Sequence, residues 1–311
     1  MKRIKILWLQ ILICCLLAGC DLNGPMEECD YNARLLFHYS RGGSTNQIRN
    51  YVTTITDYLF DAQGHLIDVT TRTGVRIPQR TLSLPPGGYT MVSWGNLAEK
   101  TLVHPSTEVG TEFADMRLVQ NNPASELPWQ QNSERLHYGK IDFEVSSMGV
   151  VQKTVFVGHA YLDLTVTVVG IEGQKGEEFS FRLDGTHPVY DINHYQLINA
   201  QGYNMYIPAP EDARDTPHLL PEVRMTSEGK LEGELLSYRL TNRSQPVFSI
   251  WQGEKQILRN VDLKHFFDTM LIDMDTNECQ EFHILITVDG DNVYVQFVSL
   301  GDWIDGGSIS G

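Results

Sequence analysis

Apolar and polar residues alternate with a period of two over much of this chain, the repeat of a strand with one buried and one wet face. In Ala160 to Val169, Leu162, Leu164, Val166 and Val168 fall on one side, and Asp163, Thr165 and Thr167 on the other. Near the C-terminus, Phe282, Ile284, Ile286 and Val288 alternate down to Asp289-Gly290-Asp291-Asn292, and Val293 to Val298 alternates back. Asp-Gly between two such runs predicts a tight hairpin.

Shorter runs predict strands at Ala33 to Ser40, Tyr51 to Phe60, Tyr89 to Asn96, Ile141 to Val145 and Val150 to Val157. Tyr51 to Phe60 is rich in Thr, Tyr and Ile, too β-branched to favour helix, and is expected inside a sheet. Phe60-Asp61-Ala62-Gln63-Gly64-His65 closes it, which makes Asp61 a turn residue rather than a catalytic carboxylate. Pro85-Pro86 cannot sit inside a central strand and fixes another turn before Tyr89. Residues 97–134 are polar, with one amphipathic piece near Glu112 to Val119, and read as an excursion from the sheet.

In the second half, Glu178 to Leu183 is expected to pair with 160–169 across Gly170 to Gly176. Tyr203 to Ile207, Glu222 to Met225, Glu234 to Thr241 and Val247 to Trp251 predict further strands. Val261 to Leu271 has helical spacing, with Asn260 as the expected N-cap. Many short strands and Gly/Pro turns place the chain in the all-β class, as two β-sandwiches joined near residue 150, over 33–150 and 151–311.

Residues 1–19 follow another pattern. Lys2, Arg3 and Lys5 precede an apolar run from Ile6 to Leu17, then the small pair Ala18-Gly19, then Cys20. The run is shorter than the roughly 20 residues that span a bilayer. Its order of charge, apolar core and small residues is that of a secretory signal, and Leu17-Ala18-Gly19-Cys20 reads as a lipobox. Cleavage before Cys20 and acylation of its thiol are expected, leaving 20–32 as a tether interrupted by Gly24-Pro25.

Charge narrows the partners. Loss of the three basic signal residues leaves 21 basic and 39 acidic side chains, a formal −18. That surface repels nucleic acid and anionic headgroups, so membrane attachment is expected through acyl chains on Cys20 and not through a basic patch. Cys14 and Cys15 leave with the signal. Cys29 and Cys279 then remain, either as a disulfide formed in an oxidising compartment or as two buried thiols.

No phosphate cradle, nucleophile elbow or zinc helix is present, so no catalytic residue, cofactor or metal is expected and the chain does not read as an enzyme. His187, Asp191 and His194 are the closest histidine cluster and read as surface or loop residues. Asp273-Met274-Asp275-Thr276-Asn277 resembles the start of a calcium loop, but Glu278 replaces the turn glycine and Ile284 the closing glutamate. Asp268-Thr269-Met270 matches a pattern for O-glycosylation in some Gram-negative envelope proteins, and Asn242-Arg243-Ser244 the N-glycosylation pattern.

Two segments carry a resemblance. Phe60-Asp61-Ala62-Gln63-Gly64-His65-Leu66 follows a β-rich strand, and Leu84-Pro85-Pro86-Gly87-Gly88-Tyr89 runs into Trp94-Gly95-Asn96. Together with the lipobox, Cys29 and the closing strands before Trp303, these resemble the FimB-type fimbrial anchor lipoproteins of type V pili, a fimbrillin-like family. The resemblance implies two transthyretin-like β-sandwiches in a lipid-anchored subunit at the pilus base. Its partners would be pilin subunits and the outer membrane, and it would attach the fibre and limit its length. Strand exchange with a pilin is the expected mode of joining, at an open edge or terminal strand of the C-terminal sandwich. The alternative is a surface glycan-binding or adhesive lipoprotein, for which Trp94, Trp129, Trp251 and Trp303 are the candidate stacking residues.

Overall fold

The computed structural model describes residues 30–41, 43–105, 108–121, 130–171, 179–198, 204–210, 216–220 and 223–300. The expected all-β class is the class observed, in five sheets. In the first half the strands are β1 (Ala33–His38), β2 (Thr54–Asp61), β3 (Leu66–Thr73), β4 (Gln79–Leu82) and β5 (Gly87–Gly95), with a single helical turn, α1 (Ile48–Tyr51), between β1 and β2. There follow β6 (Thr101–His104), β7 (Arg117–Gln120), β8 (His137–Val145), β9 (Val151–Phe156) and β10 (Gly158–His159).

A three-stranded sheet, β4-β1-β9, faces a five-stranded sheet, β10-β8-β5-β2-β3. Between them lies a core that includes Leu35, Phe37, Ile55, Leu59, Met91, Phe143 and Val155. The expected turn at Asp61 is present: its Oδ1 accepts from the backbone N–H groups of Gln63 and His65, both at 2.9 Å, and Gly64 takes a φ of +86°. β9 pairs in parallel with β1, and β10 pairs with β8, so these strands belong to the two sheets of the first core.

The second half comprises β11 (Tyr161–Val169), β12 (Phe179–Thr186), β13 (Val189–Ile198), β14 (Asn204–Pro210), β15 (Thr216–Leu220), β16 (Arg224–Met225), β17 (Leu231–Tyr238), β18 (Val247–Gln252) and β19 (Lys255–Asp262). The helix α2 (Leu263–Thr269) precedes the closing hairpin, β20 (Gln280–Asp289) and β21 (Asn292–Leu300). Sheets β16-β17-β11-β20-β21 and β15-β12-β18-β19 enclose a second core. Leu162, Leu164, Val166 and Val168 point into it as their alternation predicts, all at 0% exposure, beside Phe181, Leu183, Phe248 and Ile284.

Two expectations change here. β12 does not return beside β11; it pairs with β15 and β18 in the opposite sheet. Alternation fixes which face is buried but not which sheet receives the strand. The helix is capped by Asp262, not Asn260: the Asp262 carboxylate accepts from His265 N–H at 2.9 Å.

The fifth sheet, β14-β13-β7-β6, draws strands from both halves. The expected excursion over 97–134 supplies β6 and β7, so the amphipathic piece near Glu112 to Val119 is a 3-10 turn over Phe113–Asp115 followed by a strand. β7 pairs with β13, Leu118 opposite Tyr190. A third core, including Tyr58, Phe60, Trp94, Leu118, Tyr138 and Tyr190, joins this sheet to the outer face of the first five-stranded sheet.

The motif Trp94-Gly95-Asn96 is the corner of that arrangement. Trp94 is buried against Tyr138 and Tyr190, with ring centroids 4.6 and 5.9 Å away. A Cβ on Gly95 would stand 3.0 Å from Val52 and 3.1 Å from His137. Asn96 holds a φ of +61°, donates through Nδ2 to the carbonyls of Tyr51 (2.8 Å) and Arg135 (3.1 Å), and accepts from Thr53 N–H at 2.9 Å.

Candidate functional site

Cys279 and His159 form the arrangement closest to a reactive centre. Cys279 Sγ lies 3.2 Å from His159 Nε2, which also meets the Tyr39 hydroxyl. Tyr161 donates to Glu281 at 2.6 Å, and Glu281 in turn pairs with Arg41, which donates to the Tyr51 hydroxyl at 2.8 Å. A catalytic thiol and imidazole need the thiolate within reach at neutral pH. Burial works against that here: it pushes the Cys279 thiol up to about 12 and holds His159 well below its usual value. Both groups stay neutral, so the cluster is a polar seam between β1 and the strands β11 and β20.

Asp57 is a second buried polar centre, with its partners inside the fold. Asp57, between Ile55 and Leu59 on β2, takes Arg72 Nε at 2.8 Å, Arg80 Nη1 at 3.2 Å and the Ser93 hydroxyl at 2.6 Å. These contacts tie the two sheets of the first core together along one side. In the calcium-like stretch, Asp273 Oδ1 accepts from Asn242 Nδ2 at 2.8 Å and from the N–H groups of Asp275 and Thr276. That carboxylate organises a turn. Among the described residues no group of three or more His, Cys, Asp or Glu is placed to hold a metal.

The remaining candidates separate. Cys20, Cys29, Trp129 and Trp303 lie outside the described residues. Cys279 carries a free thiol. Asp191 and His194 lie on β13 rather than in a loop, with His187 just before it. Trp94 is core, and one face of the half-buried Trp251 ring is covered by the Arg182 guanidinium, 3.9 Å from its centroid. Asn242-Arg243-Ser244 forms a turn, and Thr269 ends α2 with its hydroxyl donating to His265 O at 2.8 Å.

What the fold exposes is sheet edge. An edge strand with unpaired backbone groups is a template for another chain, and native edges are blunted by shortness, charge or proline. Among the described residues β10 and β16 are two residues long, and β4 and β6 four. β14 and β15 contain Pro208, Pro210 and Pro217. β3, β9 and β19 carry Asp68 and Arg72, Lys153, and Lys255, Arg259 and Asp262. β21 differs, with nine residues, no charge and no proline.

Its geometry suits strand addition. Val293, Val295 and Phe297 pack against the second core, whereas Tyr294 and Val298 are more than half exposed. Asp289 and Asn292 flank the two-residue turn Gly290-Asp291, and the ladder with β20 runs through Thr287 opposite Tyr294 and Leu285 opposite Gln296. In an antiparallel ladder bonded pairs alternate with non-bonded ones, so the N–H and C=O groups of Val293, Val295 and Phe297 face the open side.

The other edge of the same sheet is closed from within. β16 covers only Leu231 and Glu232 of β17. Beyond them, Ser133 N–H donates to Leu236 O at 2.9 Å. Asn132 Oδ1 accepts from Leu236 N–H at 3.1 Å, and its Nδ2 donates to Glu234 O at 2.8 Å. Nothing in the polar run Gln130 to Glu134 announces this role, because the amide acts on a strand about a hundred residues away.

Similar structures share the fold. A candidate adhesin from Bacteroides thetaiotaomicron VPI-5482 superposes with a TM-score of 0.65 at 16% identity, covering 89% of this chain and 98% of the other. A candidate polysaccharide-binding protein of the same strain gives 0.66 at 12% identity, covering 86% and 98%. The fimbrial anchor protein Mfa2 from Porphyromonas gingivalis gives 0.59 at 16% identity, covering 85% and 94%. No curated protein matches the sequence. The family model of the fimbrillin-A associated anchor proteins Mfa1 and Mfa2 matches residues 26–304, nearly the whole chain, and the protein therefore belongs to this family of fimbrial anchor proteins.

Proposed function

We propose that this protein is a lipid-anchored subunit at the base of a fimbrium, held in the outer membrane by acyl chains on Cys20 and joined to the first pilin by strand addition at β21. Membership of the fimbrial anchor family supports a role at the cell-surface fimbrium. The observation that carries the joining mode is the asymmetry of one sheet: its β17 edge is covered by β16 and the segment around Asn132, while β21 is long and uncharged and no described strand pairs with its outer side. Main-chain hydrogen bonds to Val293, Val295 and Phe297 would supply affinity, and the exposed side chains of Tyr294 and Val298 would select the partner.

The test is made in cells. Replacing Tyr294, Gln296 and Val298 with Lys puts charge along the strand without touching the core-facing residues. Folded variants that shed pilin into the medium support the reading, and fully attached fimbriae refute the edge. Cys20→Ala tests the anchor separately: fimbriae still attached to cells would remove it.

A further inference from the structure

The first core has two poles. At one, β1 ends at His38 and the chain enters the polar seam with the second core. At the other, Asn32 O accepts from Val151 N–H at 2.9 Å, and Asn32 Nδ2 donates to Leu84 O at 2.6 Å. The chain coming from Cys20 therefore enters beside the turn that joins β8 to β9. That turn, 146–150, presents Met148 at 85% exposure and Val150 at 45%. Its backbone is set by Gly149, with a φ of +84°, and by the Ser146 hydroxyl, which donates to Met148 O at 2.6 Å.

Single exposed apolar residues are ordinary on a protein surface. The position of these two is not, because the tether arrives at the same pole. Eleven residues lie between Cys20 and Asn32, a reach of at most about 40 Å. A lipid attached at Cys20 would tether the subunit by this pole, which makes it the pole with the highest local concentration at the bilayer.

We propose that the 146–150 turn seats on the membrane, with Met148 and Val150 entering the headgroup region of a zwitterionic phospholipid surface. This rests on acylation of Cys20. Two side chains partition weakly by themselves, but the tether supplies the high effective concentration that makes a weak contact persist. The acidic balance of the chain, 39 carboxylates against 24 basic side chains, opposes an anionic surface and leaves an uncharged one as the fit. The contact would fix how the subunit stands and hence the direction in which β21 is presented.

The experiment uses the full acylated protein in phosphatidylcholine vesicles, in a Cys29→Ser background, with an environment-sensitive dye on Met148→Cys. The control is Val75→Cys, equally open at 83% exposure but at the pole where β3 ends. Cys279→Ser is carried in the same background, because that thiol is only partly covered. Expected is a blue-shifted emission shielded from an aqueous quencher at 148, and neither effect at 75. Identical emission and quenching at both positions overturn the proposal. A protein that does not float with the vesicles marks failure of acylation instead; the same dye pair is then read on Cys20→Ser protein held by an N-terminal histidine tag to nickel-chelating lipid, where a shift at 148 alone upholds the contact and its absence refutes it.

Discussion

Asn132 occupies the place of a strand beside Leu236: its side-chain oxygen accepts the Leu236 N–H at 3.1 Å, as a neighbouring carbonyl would. The same carboxamide donates to Glu234 O and receives His218 Nε2 at 2.8 Å. Asn132→Ala leaves these groups unpaired, and a loss of about 2–4 kcal/mol is expected. Denaturant melts measure it. Because a second edge is bared, the variant is also expected to self-associate in sedimentation. A monomeric variant of unchanged stability would show that the amide does not close the edge.

The register of β21 predicts that Val295→Pro removes a hydrogen-bond donor facing the open side while sparing the ladder to β20. The folded variant should lose pilin capture. Gln296→Pro, one residue on, should break the ladder itself and unfold the hairpin first, as read by circular dichroism and proteolysis.

Three buried histidines set an acid limit. Burial lowers His137 to about 4 and His218 to about 3, and holds His159 well below 6.5. The unfolded chain binds their protons from about pH 6.5 downward and the native fold does not, so stability falls as pH drops from about 6.5 toward 4. Each contributes about 1.4 kcal/mol per pH unit once fully in that window. Asp163, raised to about 6 by burial and by Glu234, takes up its proton earlier in the native state and offsets about one histidine. Urea midpoints should therefore be flat from about pH 7 to 8 and decline below that range, and His218→Gln should reduce the slope.

Asn96 separates strain from bonding. Asn96→Gly keeps the left-handed backbone free of strain but loses the bonds to Tyr51, Thr53 and Arg135; Asn96→Ala loses both. Alanine is expected to cost about 1 kcal/mol more than glycine. Equal costs in thermal or urea melts would assign the whole effect to the amide.

Cys279 should alkylate more slowly in the native protein than on unfolding, because its sulfur is partly covered and burial raises its thiol. Mass spectrometry of unreduced protein reads this directly. A position 279 that stays unreactive after unfolding and becomes reactive only on reduction would show a bond to Cys29 instead.

Local chemistry settles much of this molecule. The alternation in Leu162 to Val168 and in Phe282 to Val288 determines strands and their buried faces, and Asp61, Gly64, Gly290 and Asp291 determine turns, because side-chain period and backbone freedom act over a few residues. The lipobox pattern ending at Cys20 is equally local. Partners across the chain are another matter. Only the tertiary structure sends β12 to the far sheet, builds one sheet from β6, β7, β13 and β14, and pairs β9 with β1. It also makes Cys279 and His159 an inert seam and leaves β21 open while Asn132 closes β17. Those outcomes depend on which surfaces meet, and a strand carries the same sequence whether its edge is covered or bare.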